Sequence, residues 1–280
     1  MITKDSELAP ITFQKPYELC QINRDFNKFA DENEVKAFIT LTKASIESRL
    51  EVDGFTLRLA EVEDIQAIRG LIAAEASIFA VSQITESDLY RTIKYGFVVL
   101  IEDIHGNIVS FNATEVYADA DKTAATIYVA AAKKVSGLKV AICASRYTSL
   151  LSMEVGCRVK RTWIGPGNHA SFKNHLNHEG YIIDGFHNEL YLKGQPRMTI
   201  TLPLTPAGIS NNLIDEAKLK DYLDNNDDHA LVACDDLQQL DHLYRNSDMK
   251  VVALVSNQIT KGSNAFLAVP SSSFESYVTP

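Results

Sequence analysis

The sequence predicts a mixed α/β (α+β) protein, because strand patterns and helix patterns alternate along most of the chain. Residues 55–60 alternate between apolar and polar positions, and 123–131 are rich in β-branched residues and alanine, so both runs predict strands. Residues 61–79 and 138–155 have apolar residues at helical spacing, which predicts amphipathic helices. Two strand-like runs around His105-Gly106-Asn107 also indicate a β-hairpin.

Three regions differ in pattern. Residues 1–54 are mostly polar and contain one amphipathic run over 33–50, so we expect an N-terminal helical extension. Residues 55–204 carry the regular alternation of strands and helices. Pro206 and Asn211-Asn212 then predict a linker, and the region 205–280 is expected to be a small C-terminal α/β unit. Within it we predict a helix over 213–223 and strands over 229–234, 251–256 and 265–269.

Composition restricts the class of protein. The 280 residues are 46% hydrophobic and 22% charged, which is typical of a globular protein with a sizeable core. A formal net charge of −9 argues against sequence-independent binding to nucleic acid and against docking on anionic membranes. We expect a cytoplasmic protein, since neither a signal peptide nor a long apolar run is present. The cysteines match no zinc or disulfide pattern, which predicts that all are reduced: Cys20, Cys143, Cys157 and Cys234.

The junction between the strand over 123–131 and the long helix after it is a candidate anion site. Free backbone N–H groups in the first turn of a helix bind phosphate groups. Gly137 would let the backbone approach an anion closely, and Lys134 would add positive charge. The lysines at 133, 134 and 139 form a local basic patch in an acidic chain.

The order of elements and the spacing of Val129, Ala131, Lys134, Gly137 and Lys139 resemble the GNAT superfamily of acyl-CoA-dependent N-acyltransferases over roughly 55–204. The resemblance implies a mixed, mostly antiparallel central sheet flanked by helices, and acetyl-CoA or another acyl-CoA as co-substrate, with no metal. The implied CoA-binding residues are Val129, Ala130, Lys134, Val135, Ser136, Gly137, Leu138 and Lys139. Lys139 stands where the family has Gly or Ala, and its side chain would either pair with a phosphate or crowd the site.

A second element that resembles the family begins at Asn168, which is predicted to cap a short helix and is included among the CoA-binding residues. In the family a Tyr two turns later lies near the CoA sulfur as a general acid. Counting from Asn168 places His175 there, whereas counting back from Gly180 places Leu176 there, so the spacing leaves both open. Tyr181 is the next candidate acid. The other interpretation of His175 is an exposed helix residue.

Acyl transfer from a thioester to an amine also needs an oxyanion donor and a base. In the family the fourth and fifth strands splay apart, which implies a free N–H near Val129 or Ala130. The strand over 123–131 has no acid, and Tyr128 is its only polar ring. Glu115 on the preceding strand is the nearest carboxylate, unless it is a solvated strand residue. His169, His175 and His178 do not share a helix face, so we expect no metal site.

The first functional hypothesis is transfer of an acetyl or other acyl group from acyl-CoA to an amine of a small molecule or peptide, by direct attack in a ternary complex. The acidic net charge favours a cationic acceptor. Two alternatives stay open: a non-catalytic module that binds CoA or another ligand, and an N-acyl synthase that uses a longer acyl chain. A homodimer is a further expectation for this class.

Overall fold

The structure is a computed structural model that describes residues 32–75, 84–119, 122–135, 139–187, 196–210 and 216–273. In these residues ten strands form one continuous sheet in the order β1-β2-β3-β4-β5-β7-β6-β9-β10-β8. The strands are β1 (Phe55–Leu59), β2 (Gly96–Asp103), β3 (Ile108–Val116), β4 (Thr123–Ala131), β5 (Val159–Ile164), β6 (Ile182–His187), β7 (Arg197–Pro203), β8 (Ala230–Ala233), β9 (Met249–Val255) and β10 (Ala265–Pro270). Among the described pairings only β4–β5 is parallel, which confirms the mixed, mostly antiparallel sheet.

Helices flank the sheet, as predicted. They are α1 (Glu32–Val52), α2 (Ile65–Ala74), α3 (Glu86–Tyr95), α4 (Val140–Glu154), α5 (His169–Phe172), α6 (Pro206–Ser210), α7 (Glu216–Asn225), α8 (Leu237–Asn246) and α9 (Asn257–Thr260). A π-helical segment over Lys173–His178 continues directly from α5.

Two residues of β3 that lie three positions apart show that α3 and α4 cover opposite faces of the sheet. Glu115 bonds Thr92 of α3, whereas Asn112 bonds Thr148 of α4. Successive side chains of a strand point to opposite faces, so residues three apart do as well. Helix α1 covers α4 from outside, where Lys43 Nζ lies 2.6 Å from Glu154 Oε2. We call the two sides of the sheet the α3 face and the α4 face.

Local patterns predicted most of these elements. The strand over Thr123–Ala131 is confirmed to the residue, and the helix predicted over 33–50 is observed as α1. Pro206 lies in the short helix α6, and Asn211-Asn212 of the predicted linker lie outside the described residues. Helix α8 was not predicted, although Leu237, Leu240 and Leu243 follow helical spacing. Asp236 caps α8 by accepting a hydrogen bond from Gln239 N at 3.0 Å.

The region 205–280 continues the sheet. Strand β9 joins the edge of β6 through the pair Ile183–Val251, and β10 and β8 follow. The boundaries at 54/55 and 204/205 stay predictions. Cys143, Cys157 and Cys234 are free and buried, as predicted, while Cys20 lies outside the described residues. The described residues contain no helix that combines the length and apolarity needed to cross a membrane.

Candidate functional site

The parallel strands β4 and β5 pair over only three positions and then separate. The last pair is Ala125–Arg161, and beyond it the described residues of β4 have no partner on β5. Thr162 Oγ1 donates to Thr126 O at 3.0 Å just past this point. A register shift against β3 between Ala113 and Thr114 bends the same part of β4. Beyond Ala125, the edge of β4 that faces β5 therefore carries backbone N–H and C=O groups that no described strand residue pairs with.

The oxyanion donor predicted near Val129 or Ala130 lies on this separated half of β4. Val129 is half-buried and Ala130 is buried. Both residues follow the divergence, in the stretch where β4 pairs only with β3. Val129 and Ala130 therefore lie where β4 and β5 have separated, as the resemblance implied. The role of their N–H groups in stabilising an oxyanion stays a prediction.

The turn from β4 to α4 contains the predicted CoA loop. Lys133–Val135 form a short 3₁₀ helix, and Val135 is buried. The predicted contacts Ser136, Gly137 and Leu138 lie outside the described residues. Lys139 precedes α4 with a φ of 59°. An L-residue in this left-handed conformation costs about 1–2 kcal/mol, which is a physical reason for glycine at this position.

Lys134 is directed away from α4. Its Nζ lies 2.8 Å from Asp103 Oδ2 at the end of β2, and this contact holds the pKa of Asp103 well below its usual range. Lys134 also lines an open groove of about 580 Å³ to which α2 and the β2–β3 turn contribute. No residue of β5 or α4 lines that groove, so it is separate from the divergence of β4 and β5.

The π-helical segment explains why the spacing after Asn168 left two residues open. Asn168 Oδ1 accepts from Ser171 N at 3.1 Å, which confirms the predicted cap. Each backbone hydrogen bond of the segment Lys173–His178 then spans one more residue than in an α-helix. His175 and Leu176 are both buried, so the interpretation of His175 as an exposed residue was wrong.

A cluster of polar side chains is buried between α4, β5 and the end of the π-helical segment. We call it the buried polar cluster: Ser145, Lys160, His175, Glu179 and Tyr181. Lys160 Nζ donates to Ser145 O at 2.9 Å and also to two hydroxyls of α4. Ser145 Oγ donates to Glu179 Oε2 at 2.6 Å, and His175 Nδ1 lies 3.0 Å from Glu179 Oε1. The His175 and Tyr181 rings meet edge to face.

Burial determines the protonation of this cluster. It lowers the pKa of Lys160 to about 7, although Glu179 acts in the opposite direction. Burial also opposes ionisation of Glu179, but His175, Lys160 and Ser145 together hold its pKa below the usual range. The pKa of Tyr181 is raised well above its ordinary value, mainly by burial. Tyr181 therefore keeps its proton at neutral pH, as a proton donor must.

One basic residue lies at the start of α4, because Lys139 is the N-cap of this helix. The pKa of His178 is lowered by burial and then by the charges of Lys139 and Lys173, and Arg146 acts in the same direction. Lys173 pairs with Glu216 at 3.2 Å, and Arg146 donates to Ile209 O at 2.9 Å. Lys139 therefore places positive charge at this helix end in a chain with a net charge of −9.

The two candidates on the α3 face are held by their neighbours. Glu115 is buried, so the solvated interpretation was wrong. Its Oε1 accepts from Arg91 Nε at 2.9 Å and Thr92 Oγ1 at 3.0 Å, and its Oε2 accepts from Tyr117 at 2.8 Å. Burial raises the pKa of Tyr128 to about 12. A neutral phenol can donate a hydrogen bond but cannot serve as the base near neutral pH.

Sequence reasoning missed Lys160, Ser145 and Glu179. A signal was present, because Ser145, Ser149 and Ser152 place hydroxyls at helical spacing along one side of α4. Two of the three histidines in the run 169–178 have different partners. His169 Nδ1 lies 2.9 Å from Asn264 Nδ2, whereas His175 faces Glu179. In the described part of the chain no three His, Cys, Asp or Glu residues converge as a metal site.

Comparison with known proteins finds similarity in structure. No family model and no curated protein matches the sequence. Ard1 from Thermoplasma volcanium is 16% identical, covers 53% of this chain and 96% of its own, and has a TM-score of 0.46. The ribosomal-protein-S5-alanine acetyltransferase of Vibrio fischeri is 11% identical over 54% of this chain and 93% of its own, with a TM-score of 0.46.

A third match is the NatC complex bound to Gag peptide and CoA, at 11% identity, 54% of this chain and 99% of the matched chain, with a TM-score of 0.48. A further matched structure, a putative acetyltransferase of the GNAT family from Desulfovibrio desulfuricans, is 10% identical over 54% of this chain and 99% of its own, with a TM-score of 0.46.

Proposed function

We propose that this protein transfers an acyl group from acyl-CoA to an amine at the divergence of β4 and β5. The observation that supports this most is the end of their parallel pairing at Ala125 and Arg161. A thioester carbonyl placed there can accept a hydrogen bond from the backbone N–H of Val129 or Ala130. Donors of this kind stabilise the oxyanion that forms when the carbonyl is attacked.

The basic end of α4 suits the pyrophosphate of CoA. Free N–H groups of the first turn and the charge of Lys139 favour an anion, and this helix follows β4 directly along the chain. Ser136, Gly137 and Leu138 belong to this proposed contact on the basis of the sequence. Asn168 contributes by capping α5 and so fixing where the π-helical segment begins.

The proposed reaction forms one bond, between nitrogen and carbon, and breaks one bond, between carbon and sulfur. The amine nitrogen forms a bond to the acyl carbon while the bond from that carbon to sulfur breaks, so the amine loses one proton and the CoA thiolate gains one. Tyr181 is the proposed donor to the thiolate, because burial keeps its phenol protonated and its hydroxyl has no hydrogen-bond partner among the described residues. The buried polar cluster holds Tyr181 through its ring contact with His175.

A second candidate is a module that binds acyl-CoA without turnover. The full burial of Tyr181 and the three donors on Glu115 favour it, because a buried acid and an occupied carboxylate are less available to reacting atoms. Calorimetry with acetyl-CoA and an assay of free thiol release over a panel of amines separate the two. Binding with release supports the enzyme, binding without release supports the module, and the absence of binding rejects both.

A further inference from the structure

A row of four paired residues crosses the sheet at the base of the strand divergence. Glu115 of β3 pairs with Ala125 of β4, Ala125 with Arg161 of β5, and Arg161 with Thr201 of β7. Paired residues on neighbouring strands project from the same face. Glu115 faces α3, so the Arg161 side chain does too. The neighbouring Lys160 confirms this, because it points to the α4 face.

Arg161 is an unusual buried cation. It is 6% exposed, and no hydrogen-bond acceptor contacts its guanidinium among the described residues. The five N–H donors of this guanidinium thus have no acceptor among the described residues. A buried charge normally requires such partners. Glu115, in the same row, makes its three side-chain hydrogen bonds with Arg91, Thr92 and Tyr117 and none with Arg161.

The acid that interacts electrostatically with Arg161 is only partly suited to pair with it. Asp184 on β6 interacts electrostatically with Arg161 and with Lys250, so one carboxyl faces two cations. Asp184 Oδ2 accepts from Thr201 Oγ1, while Asp184 Oδ1 has no hydrogen-bond partner in the described part of the chain. Burial raises the pKa of Asp184 to about 6, which weakens its negative charge under mildly acidic conditions. Asp184 therefore offers Arg161 an incomplete counter-charge beside the divergence.

We infer that Arg161 binds a carboxylate of the acceptor, and that the acceptor is an amine that also carries a carboxylate, as an amino acid does. This inference rests on the proposed acyl transfer and specifies its substrate class. Arg161 is in the last β4–β5 pair, so its guanidinium lies at the base of the divergence whose β4 edge carries the proposed carbonyl position. The planar fork of a guanidinium matches a carboxylate with two parallel hydrogen bonds. This acceptor class differs from the cationic one that the net charge of the chain favours.

The test compares matched acceptors on matched variants. Thiol release from acetyl-CoA is measured with each proteinogenic L-amino acid and with its α-carboxamide, which keeps the amine and removes the carboxylate. The proteins are the unmodified chain, Arg161→Met, Arg161→Lys and Arg158→Met. Arg158 is an exposed arginine just before β5, so its variant controls for loss of an arginine alone. Calorimetry with acetyl-CoA establishes that each variant retains its cofactor affinity.

We expect at least one acid to exceed its amide in kcat/KM, by about 10- to 100-fold. Arg161→Met should abolish this preference through KM, Arg161→Lys should restore part of it, and Arg158→Met should retain it. Amides that equal the acids, or an Arg161→Met variant that loses both equally, would overturn the inference and leave acyl transfer standing.

If no amine is acylated, thermal melts in the presence of the same acids and amides test the carboxylate site. That result would reject the enzyme but not the carboxylate site. A rise in Tm with an acid and not with its amide, lost in Arg161→Met, would sustain the site. An equal Tm with an acid and with its amide would overturn the carboxylate site.

Discussion

The side-chain amide of Asn177 makes two hydrogen bonds to the backbone of Leu254. Asn177 Nδ2 donates to Leu254 O and Leu254 N donates to Asn177 Oδ1, each at 2.8 Å. Both residues are buried. Asn177 thus pairs with β9 as a neighbouring strand would, and it joins the π-helical segment to the C-terminal part of the sheet.

Replacing this amide should lower stability. Asn177→Ala leaves the N–H and C=O of Leu254 buried without partners, and each unmatched group costs about 1–3 kcal/mol. We expect a loss of about 2–4 kcal/mol in the free energy of unfolding, measured with denaturant. Asn225→Ala is the matched control, because Asn225 is exposed and bonds only within α7. Equal losses in both variants would contradict the structural role of Asn177.

Lys160 should make stability depend on pH. Its pKa is about 7 when folded and near 10.5 when unfolded, so the unfolded chain binds more protons between these values. The contribution of Lys160 to the free energy of unfolding therefore rises with pH from about 7 to 10, by at most about 1.4 kcal/mol per pH unit. Below pH 7 both states are protonated and the contribution is constant.

Lys160→Met removes this titration and nearly preserves side-chain length. The free energy of unfolding of the unmodified chain minus that of Lys160→Met should increase between pH 7 and pH 10. Denaturant titrations at several pH values measure this difference. Parallel pH curves for the two proteins would mean that Lys160 is not a titrating buried group.

Glycine should be more stable than lysine at position 139. The φ of 59° strains an L-residue, whereas glycine adopts this conformation readily, so Lys139→Gly is expected to gain about 0.5–1 kcal/mol. Lys261, with a φ of 56°, should respond in the same direction. The control Lys220→Gly lies inside α7 and should lose about 1 kcal/mol. A loss of stability at position 139 would refute the left-handed conformation there.

Local patterns were enough to predict β4, α1 and the Asn168 cap, because each depends on residues close in sequence. They could not predict the buried polar cluster. A lysine beside an arginine in a strand is usually exposed, and Lys160 is buried only because α4 packs over it with hydroxyls at the matching positions. The placement of His175 was equally non-local, since spacing alone does not distinguish a π-helical turn from an α-helical one.

The most direct test of the account is calorimetric titration of acetyl-CoA into three proteins at low ionic strength. They are the unmodified chain, Lys139→Glu and Lys261→Glu, whose two lysines share one backbone conformation at different helix ends. The account predicts that the unmodified chain binds and that Lys139→Glu weakens binding about threefold or more, because a negative charge at the start of α4 repels the pyrophosphate. Lys261→Glu should bind as the unmodified chain does. The absence of binding by the unmodified chain, or equal affinity in all three proteins, would contradict a CoA site at this helix end.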